Sequence, residues 1–191
     1  MTDSTTSDRG GKRERLVASA GDLLHRQGVL ATTLAQVAEA ADVPPGNVYY
    51  YFKTKDDLVR AVIDARAEQV RAMLTTIQAR RSPSARLKAL VHQWVEMREL
   101  VARHGCPFGT LAAELDRRED GLDREAAKPM GLIIDWAEGQ FREMGRRDAR
   151  ERAVNLFAGV QGAALLANAF RDPDIMSGQV RHLERSIDSL S

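Results

Sequence analysis

The sequence predicts an all-α protein, with a three-helix head at the N-terminus carried on a larger helical bundle body. Three observations predict it. The composition is rich in Ala, Arg, Leu and Glu, with only 5% aromatic residues and six prolines in 191 residues, a balance that favours helices. Apolar residues recur every three or four positions along most of the chain, and no run alternates with the period of a strand. Glycine and proline fall mostly at the borders of the periodic stretches.

Each element follows from these signals. Residues 1–8 are too polar to pack and are expected as a disordered tail. Over residues 12–27, Leu16, Val17, Ala20, Leu23 and Leu24 keep helical spacing, and Gly28 stops that helix. Thr33 starts the next, and two short segments lead to Phe52. Thr54, with Asp57 three residues on, opens a long helix to about residue 80. Ser82 and Pro83 start another, whose stripe of Leu87, Leu90, Val91, Trp94, Val95, Met97 and Val101 runs until Gly105. Thr110 is expected to cap a short helix over 111–118. Residues 123–144 read as one helix bent at Pro129 and Gly131. Residues 148–170 form the most apolar helix, and 173–190 the last. The expected division is a head over 9–55 and a body over 56–191.

Charge and cysteine content narrow the function classes. A net charge of +1 does not announce a nucleic-acid binder, so any such case rests on where charges and aromatic rings sit. The single cysteine, Cys106, excludes an internal disulfide and a multi-cysteine metal site. No stretch is read as reaching the ~20 apolar residues of a membrane span, and the polar N-terminus lacks the apolar centre of a signal peptide. A cytoplasmic protein is expected.

The informative segment is TTLAQVAEAADVPPGNVYYYFKTKDDL, residues 32–58. Two short helices crossing tightly demand particular residues at particular spacings. Ala38 is small enough for close approach, and Val37, Val43 and Val48 are spaced to share one mini-core. Asp42 occupies the turn, where the backbone needs positive φ and Asp tolerates it better than most residues. Pro45 suits the first turn of the second helix, and Pro44 keeps the residue before it extended. Pro45, Gly46, Asn47 and Tyr50 then lie on the exposed part that enters a DNA major groove. There Asn reads base edges, while Pro or Tyr surface meets thymine methyls. Thr33, Tyr49 and Lys55 have the chemistry of phosphate clamps. Phe52 is expected in the core. Lys12, Arg13 and Lys53 are equally compatible with phosphate contact and with solvent.

These residues resemble the TetR family over about 15–58: an Ala-rich first helix, Gly28, Thr33, Val37-Ala38, Val43, Gly46, Tyr49, Phe52, Lys55 and Leu58. Three positions depart from the family pattern. Asp42 stands for its usual glycine, Tyr51 for a frequent histidine, and Pro44 for a capping Ser or Thr. The resemblance implies a homodimeric transcriptional regulator, by default a repressor, that binds palindromic double-stranded operator DNA and is released by a small-molecule effector. It also implies that the last two helices form the dimer, with Leu156, Gly159, Val160, Ala163, Leu166 and Ala167 at the interface. The competing reading is that this helix is the buried centre of the monomer. The middle helices would enclose the ligand among Trp94, Met97, Cys106, Phe108, Leu111, Met130, Ile133, Ile134 and Phe157, which read equally as plain core.

Two further readings concern chemistry. GCPFGTLAAEL resembles a stretch in a subset of TetR-like regulators, some of which sense electrophiles or oxidants through a cysteine, and a following helix N-terminus with Arg103 and His104 beside Cys106 would favour a thiolate. The alternative is an inert, buried sulfur. No phosphate-binding glycine loop, nucleophile elbow or paired Glu-x-x-His motif occurs, so no enzyme, cofactor or metal is expected. His92 and Glu96, one turn apart, read as a surface pair.

Overall fold

A computed structural model describes residues 4–190, which form eleven α-helices and no strand. The all-α expectation holds. The chain divides into two compact units. One runs to Arg66 and includes Thr110–Ala126; the other comprises Ala67–Gly109 and the chain from Ala127 onward. The division between these units falls within the fourth helix, and residues 110–126 belong to the first unit.

The first unit holds α1 (Ser4–Ala31), α2 (Leu34–Ala40), α3 (Pro45–Tyr51), the start of α4 (Lys55–Gln78), most of α7 (Pro107–Leu115) and α8 (Leu122–Ala126). Of the tail expected over 1–8, residues 1–3 lie outside the described residues, and from Ser4 the backbone is already helical. No proline interrupts this stretch, and extending an existing helix costs far less than starting one. Leu16, Val17 and Ala20 of α1 join Val37, Ala38, Val43, Val48, Phe52, Leu58 and Val62 in one core, together with Leu111, Leu115 and Leu122. Glycine is required where α1 kinks. Gly28 sits at φ 84° and ψ 171°, a region essentially reserved for glycine. A Cβ there would also collide with the Glu114 carboxylate, which accepts the Val29 N–H at 2.7 Å. Gly28→Ala is expected to cost roughly 1–3 kcal/mol of stability, measured in urea titrations. An unmoved midpoint would show that the kink can relax.

The same segment is held by charge. Arg118 forks onto Asp56 at 2.9 and 2.5 Å, and Arg60 meets Glu125 at 3.3 Å. Hydrogen bonding from Arg118 holds the Asp120 carboxyl below the ordinary carboxylate range.

The second unit holds the remainder of α4, α5 (Pro83–Glu96), α6 (Arg98–His104), α9 (Lys128–Glu143), α10 (Ala149–Phe170) and α11 (Asp174–Asp188). Here α10 packs against α6, α9 and α11, and α5 against α9 and α11. Three expected helices differ in their borders. The one opened at Pro83 breaks at Met97 (φ −97°, ψ 5°), where Arg98 donates to the Val95 carbonyl at 3.1 Å, a break that no Gly or Pro announces. Thr110 is not a cap but lies inside α7. Gly105, at φ 81°, ends α6, and Pro107 then occupies a first turn, where its missing N–H costs nothing. The helix expected over 123–144 is divided at Ala127 into α8 and α9, with Pro129 in the first turn of α9 and Gly131 inside it without a break.

By length and composition α10 is apolar enough to cross a membrane, which the sequence reading did not expect. Its inner face buries Ala153, Leu156, Phe157, Val160, Ala163, Ala164 and Ala167. Its outer face is apolar too, with Val154, Leu165, Leu166 and Phe170 exposed.

Candidate functional site

The α2–α3 pair is built as its residue types require. Thr33 and Gln36 form a reciprocal cap: the Thr33 hydroxyl accepts the Gln36 N–H at 3.2 Å, and the Gln36 side-chain oxygen accepts the Thr33 N–H at 2.9 Å. Asp42 takes φ 52°, and the Val43 N–H then reaches the Ala38 carbonyl at 2.9 Å. Arg15 of α1 donates to the Ala41 carbonyl at 3.2 Å, tying this turn to the first helix. Pro45 stands in the first turn of α3. Val48 faces the core, so the opposite side of α3 is turned outward: Pro45, Gly46, Asn47, Tyr49 and Tyr50 are all exposed.

Several features of this face are unexplained by folding alone. Tyr49 and Tyr50 expose 56% and 63% of their surface, against the usual tendency of such rings to be covered. Among the described residues, no hydrogen bond engages either hydroxyl or the Asn47 amide. Gly46 has an ordinary negative φ, and a Cβ there would meet nothing within 4 Å. The fold has no need of a glycine at a position where glycine is costly. What Gly46 permits is close approach of a partner to the backbone.

The flanks supply donors. Lys55 starts α4, half-buried, its Nζ 3.4 Å from the Leu30 carbonyl, so the start of α4 lies beside the link that ends at Thr33. Lys53 donates to the Tyr49 carbonyl at 2.9 Å. The Arg13 guanidinium stacks 5.3 Å from the centre of the buried Phe52 ring. Two of the carboxylates at the start of α4 are occupied: Asp57 accepts the Thr54 N–H at 3.0 Å, completing the expected cap of α4, and Asp56 holds Arg118. The arrangement sets Arg13, Lys53 and Lys55 around a polar and aromatic helix surface, a combination suited to a polyanionic groove.

The body residues fall out differently. Trp94, Cys106, Ile133 and Phe157 are buried in one cluster, with Met97, Phe108, Met130 and Ile134 half-buried against it. Leu111, expected with them, belongs to the core of the first unit. Trp94 and Phe157 meet edge-to-face at 5.8 Å. The Trp94 indole N–H is buried without a hydrogen-bond acceptor. Cys106 is only 3% exposed, and Gln161 donates to its sulfur at 3.3 Å. A Cβ at Gly109 would stand 2.5 Å from the same Gln161 amide.

The residues expected at the dimer seam divide between the two sides of α10. Leu156, Val160, Ala163 and Ala167 are spent inside the chain's own core, leaving only Gly159 half-buried and Leu166 exposed. A helix apolar all round gives no signal of which side turns inward. The outer face of the helix exposes Val154, Ala158, Gly162, Leu165 and Ala169 instead. His92 also differs: it stands 3.8 Å from Glu184 of α11, where Glu96 was expected to be its partner. Among the described residues no group of three metal-ligating side chains comes together.

Comparison with known proteins agrees with this geometry. Residues 16–62 match the family model for bacterial regulatory proteins of the tetR family, and residues 83–183 match that for the tetracyclin repressor-like C-terminal domain. The HTH-type transcriptional regulator TtgR of Pseudomonas putida is 27% identical over 85% of this chain and 82% of its own. An HTH-type transcriptional regulator of Mycobacterium tuberculosis is 29% identical over 91% and 94%. Among solved structures, a TetR transcriptional regulator from Chloroflexus aurantiacus superposes with a TM-score of 0.82 at 23% identity, covering 94% of this chain and 96% of that one. One from Streptomyces coelicolor gives 0.81 at 20%, covering 95% and 97%.

Proposed function

Because the chain belongs to the TetR family of DNA-binding transcriptional regulators, which are not enzymes, we propose that it is a cytoplasmic homodimeric repressor, released from a palindromic operator by a small apolar ligand. The observation that carries the DNA-reading part is the outward face of α3, where a Gly46 Cβ would meet nothing within 4 Å, Asn47 is exposed, and Tyr49 and Tyr50 expose more than half of their surface. On this reading Pro45, Gly46, Asn47 and Tyr50 meet base edges, and Thr33, Tyr49 and Lys55 grip phosphates.

The test is selection of random duplex DNA by the purified protein at moderate salt. A palindrome with half-sites about 34–36 Å apart supports a two-headed reader; retention that fades uniformly with salt, without enrichment, counts against it. Within the recovered operator, Asn47→Ala is expected to cost about 1–3 kcal/mol at one base position and to relax preference there. Lys55→Ala is expected to weaken all sequences alike and to flatten the salt dependence. If Asn47→Ala left the ranking of operator variants unchanged, its base-reading role would be wrong.

The dimer seam is assigned to the outer face of α10, not to the residues first expected. Ala158 and Gly162 lie one turn apart at its centre, and nothing stands within 4 Å of where a Gly162 Cβ would be. Such small residues let a second helix approach closely, with Leu165 and Leu166 beside them. For the effector, the cluster of Trp94, Met97, Phe108, Met130, Ile133, Ile134 and Phe157 favours an apolar molecule. Its binding must prefer a conformation that misfits DNA, or nothing is released. An electrophile would instead have to reach a Cys106 sulfur that is buried and held by Gln161. The burial favours the apolar ligand. Equal release of DNA from wild type and Cys106→Ser by a thiol-reactive electrophile would remove the sensor alternative.

A further inference from the structure

The chain has two tryptophans, and their indole nitrogens are treated differently. Trp136 is half-buried, and its N–H donates to the Gln78 side-chain oxygen at 3.0 Å. Trp94 is 1% exposed, and its N–H has no acceptor. A buried donor left unmade is destabilising, whereas a phenylalanine would pack there at no such cost. The ring is not free to turn toward a carbonyl, because Phe157 meets it edge-to-face at 5.8 Å. Two side-chain amides of the neighbouring helices are otherwise engaged: Gln161 is turned to Cys106, and Gln140 accepts from Arg86 at 3.2 Å.

The surroundings suit a guest. Trp94 belongs to an apolar cluster with Val91, Ile133, Phe157 and Val160, surroundings that disfavour a charged ligand. Met97 and Met130 pack against it half-buried, and methionines yield to irregular shapes at little cost. The backbone also leaves helical geometry at Met97, three residues past Trp94.

We propose that the effector is a neutral, largely apolar molecule bearing one hydrogen-bond acceptor, such as a carbonyl, ether or ring nitrogen, and that the Trp94 N–H is the donor that selects it. This rests on the effector-responsive reading above and adds the acceptor as the feature that distinguishes one apolar molecule from another. An acceptor-bearing molecule makes a hydrogen bond with this donor that a hydrocarbon of the same shape cannot make, which is the difference between the two.

The experiment uses the full chain and matched probes of nearly equal shape: quinoline with naphthalene, acetophenone with ethylbenzene, and 2-decanone with decane. Affinity is read by thermal shift and by release of the selected operator. In wild type the acceptor-bearing member of at least one pair should bind about tenfold more tightly than its hydrocarbon partner, the worth of one buried hydrogen bond. That preference should vanish in Trp94→Phe. In case Phe fills the site poorly, position 94 is also replaced by β-(3-benzothienyl)alanine in a Trp136→Phe background, which keeps the ring's size and removes only the N–H. A preference that survives both replacements overturns the proposal, as does failure of every acceptor-bearing probe to bind wild type. If hydrocarbons and acceptors bind and release the operator equally, the role of Trp94 falls while the ligand-responsive regulator stands.

Discussion

Leu165→Glu should yield a folded monomer that no longer holds a palindromic operator. Leu165 is 69% exposed on the outer face of α10, so a carboxylate there disturbs nothing inside the chain. Across a two-fold seam the substitution occurs twice, each time placing a charge where an apolar side chain was to be covered. Losses of roughly 2 kcal/mol or more per copy are typical of truncated interface anchors, and two such losses amount to about a thousandfold in dimer affinity. Sedimentation at micromolar concentration reads the assembly state, and circular dichroism the fold. The contrasting variant is Val160→Glu, fully buried on the inner face, which should unfold the second unit. A dimeric Leu165→Glu would remove the seam from this face.

Gly46→Ala separates folding from binding in the opposite direction. With open space around the added methyl, alanine in place of glycine should raise stability by roughly 0.5–1 kcal/mol. Binding to the operator should fall by about tenfold or more, since a methyl then stands where the DNA backbone or a base edge must come close. Thermal melts and a binding titration on the same preparation decide it. If affinity held while stability rose, the glycine would need another explanation.

The head was legible because a tight helix crossing constrains single residues. Gly28 at its kink, the Thr33 cap, small Ala38, Asp42 at positive φ and Pro45 in a first turn each have a local physical cause visible in the residue type. The body was legible as helices but not as faces. Along α10, Leu156 and Val160 look inward and Leu165 and Leu166 outward, yet all four are equally apolar, so periodicity gave no direction. Leu111 clusters with residues such as Leu16 and Ile63 that lie far back in the chain, a grouping no local pattern announces. The break at Met97 rests on backbone geometry and on Arg98, neither of which a glycine or proline marks. The unmade bond of Trp94 had no signal at all in the sequence.

The uncovered face of α10 also bears on genetics. With the seam there, a chain that cannot read DNA, such as one carrying Tyr49→Ala, still presents an intact Leu165–Leu166 surface and captures wild-type copies into mixed pairs. Such an allele is dominant when co-expressed, and adding Leu165→Glu to it restores recessiveness. Operator occupancy likewise rises more steeply than linearly with gene dosage while the protein is scarce, because two copies must meet before one site is filled.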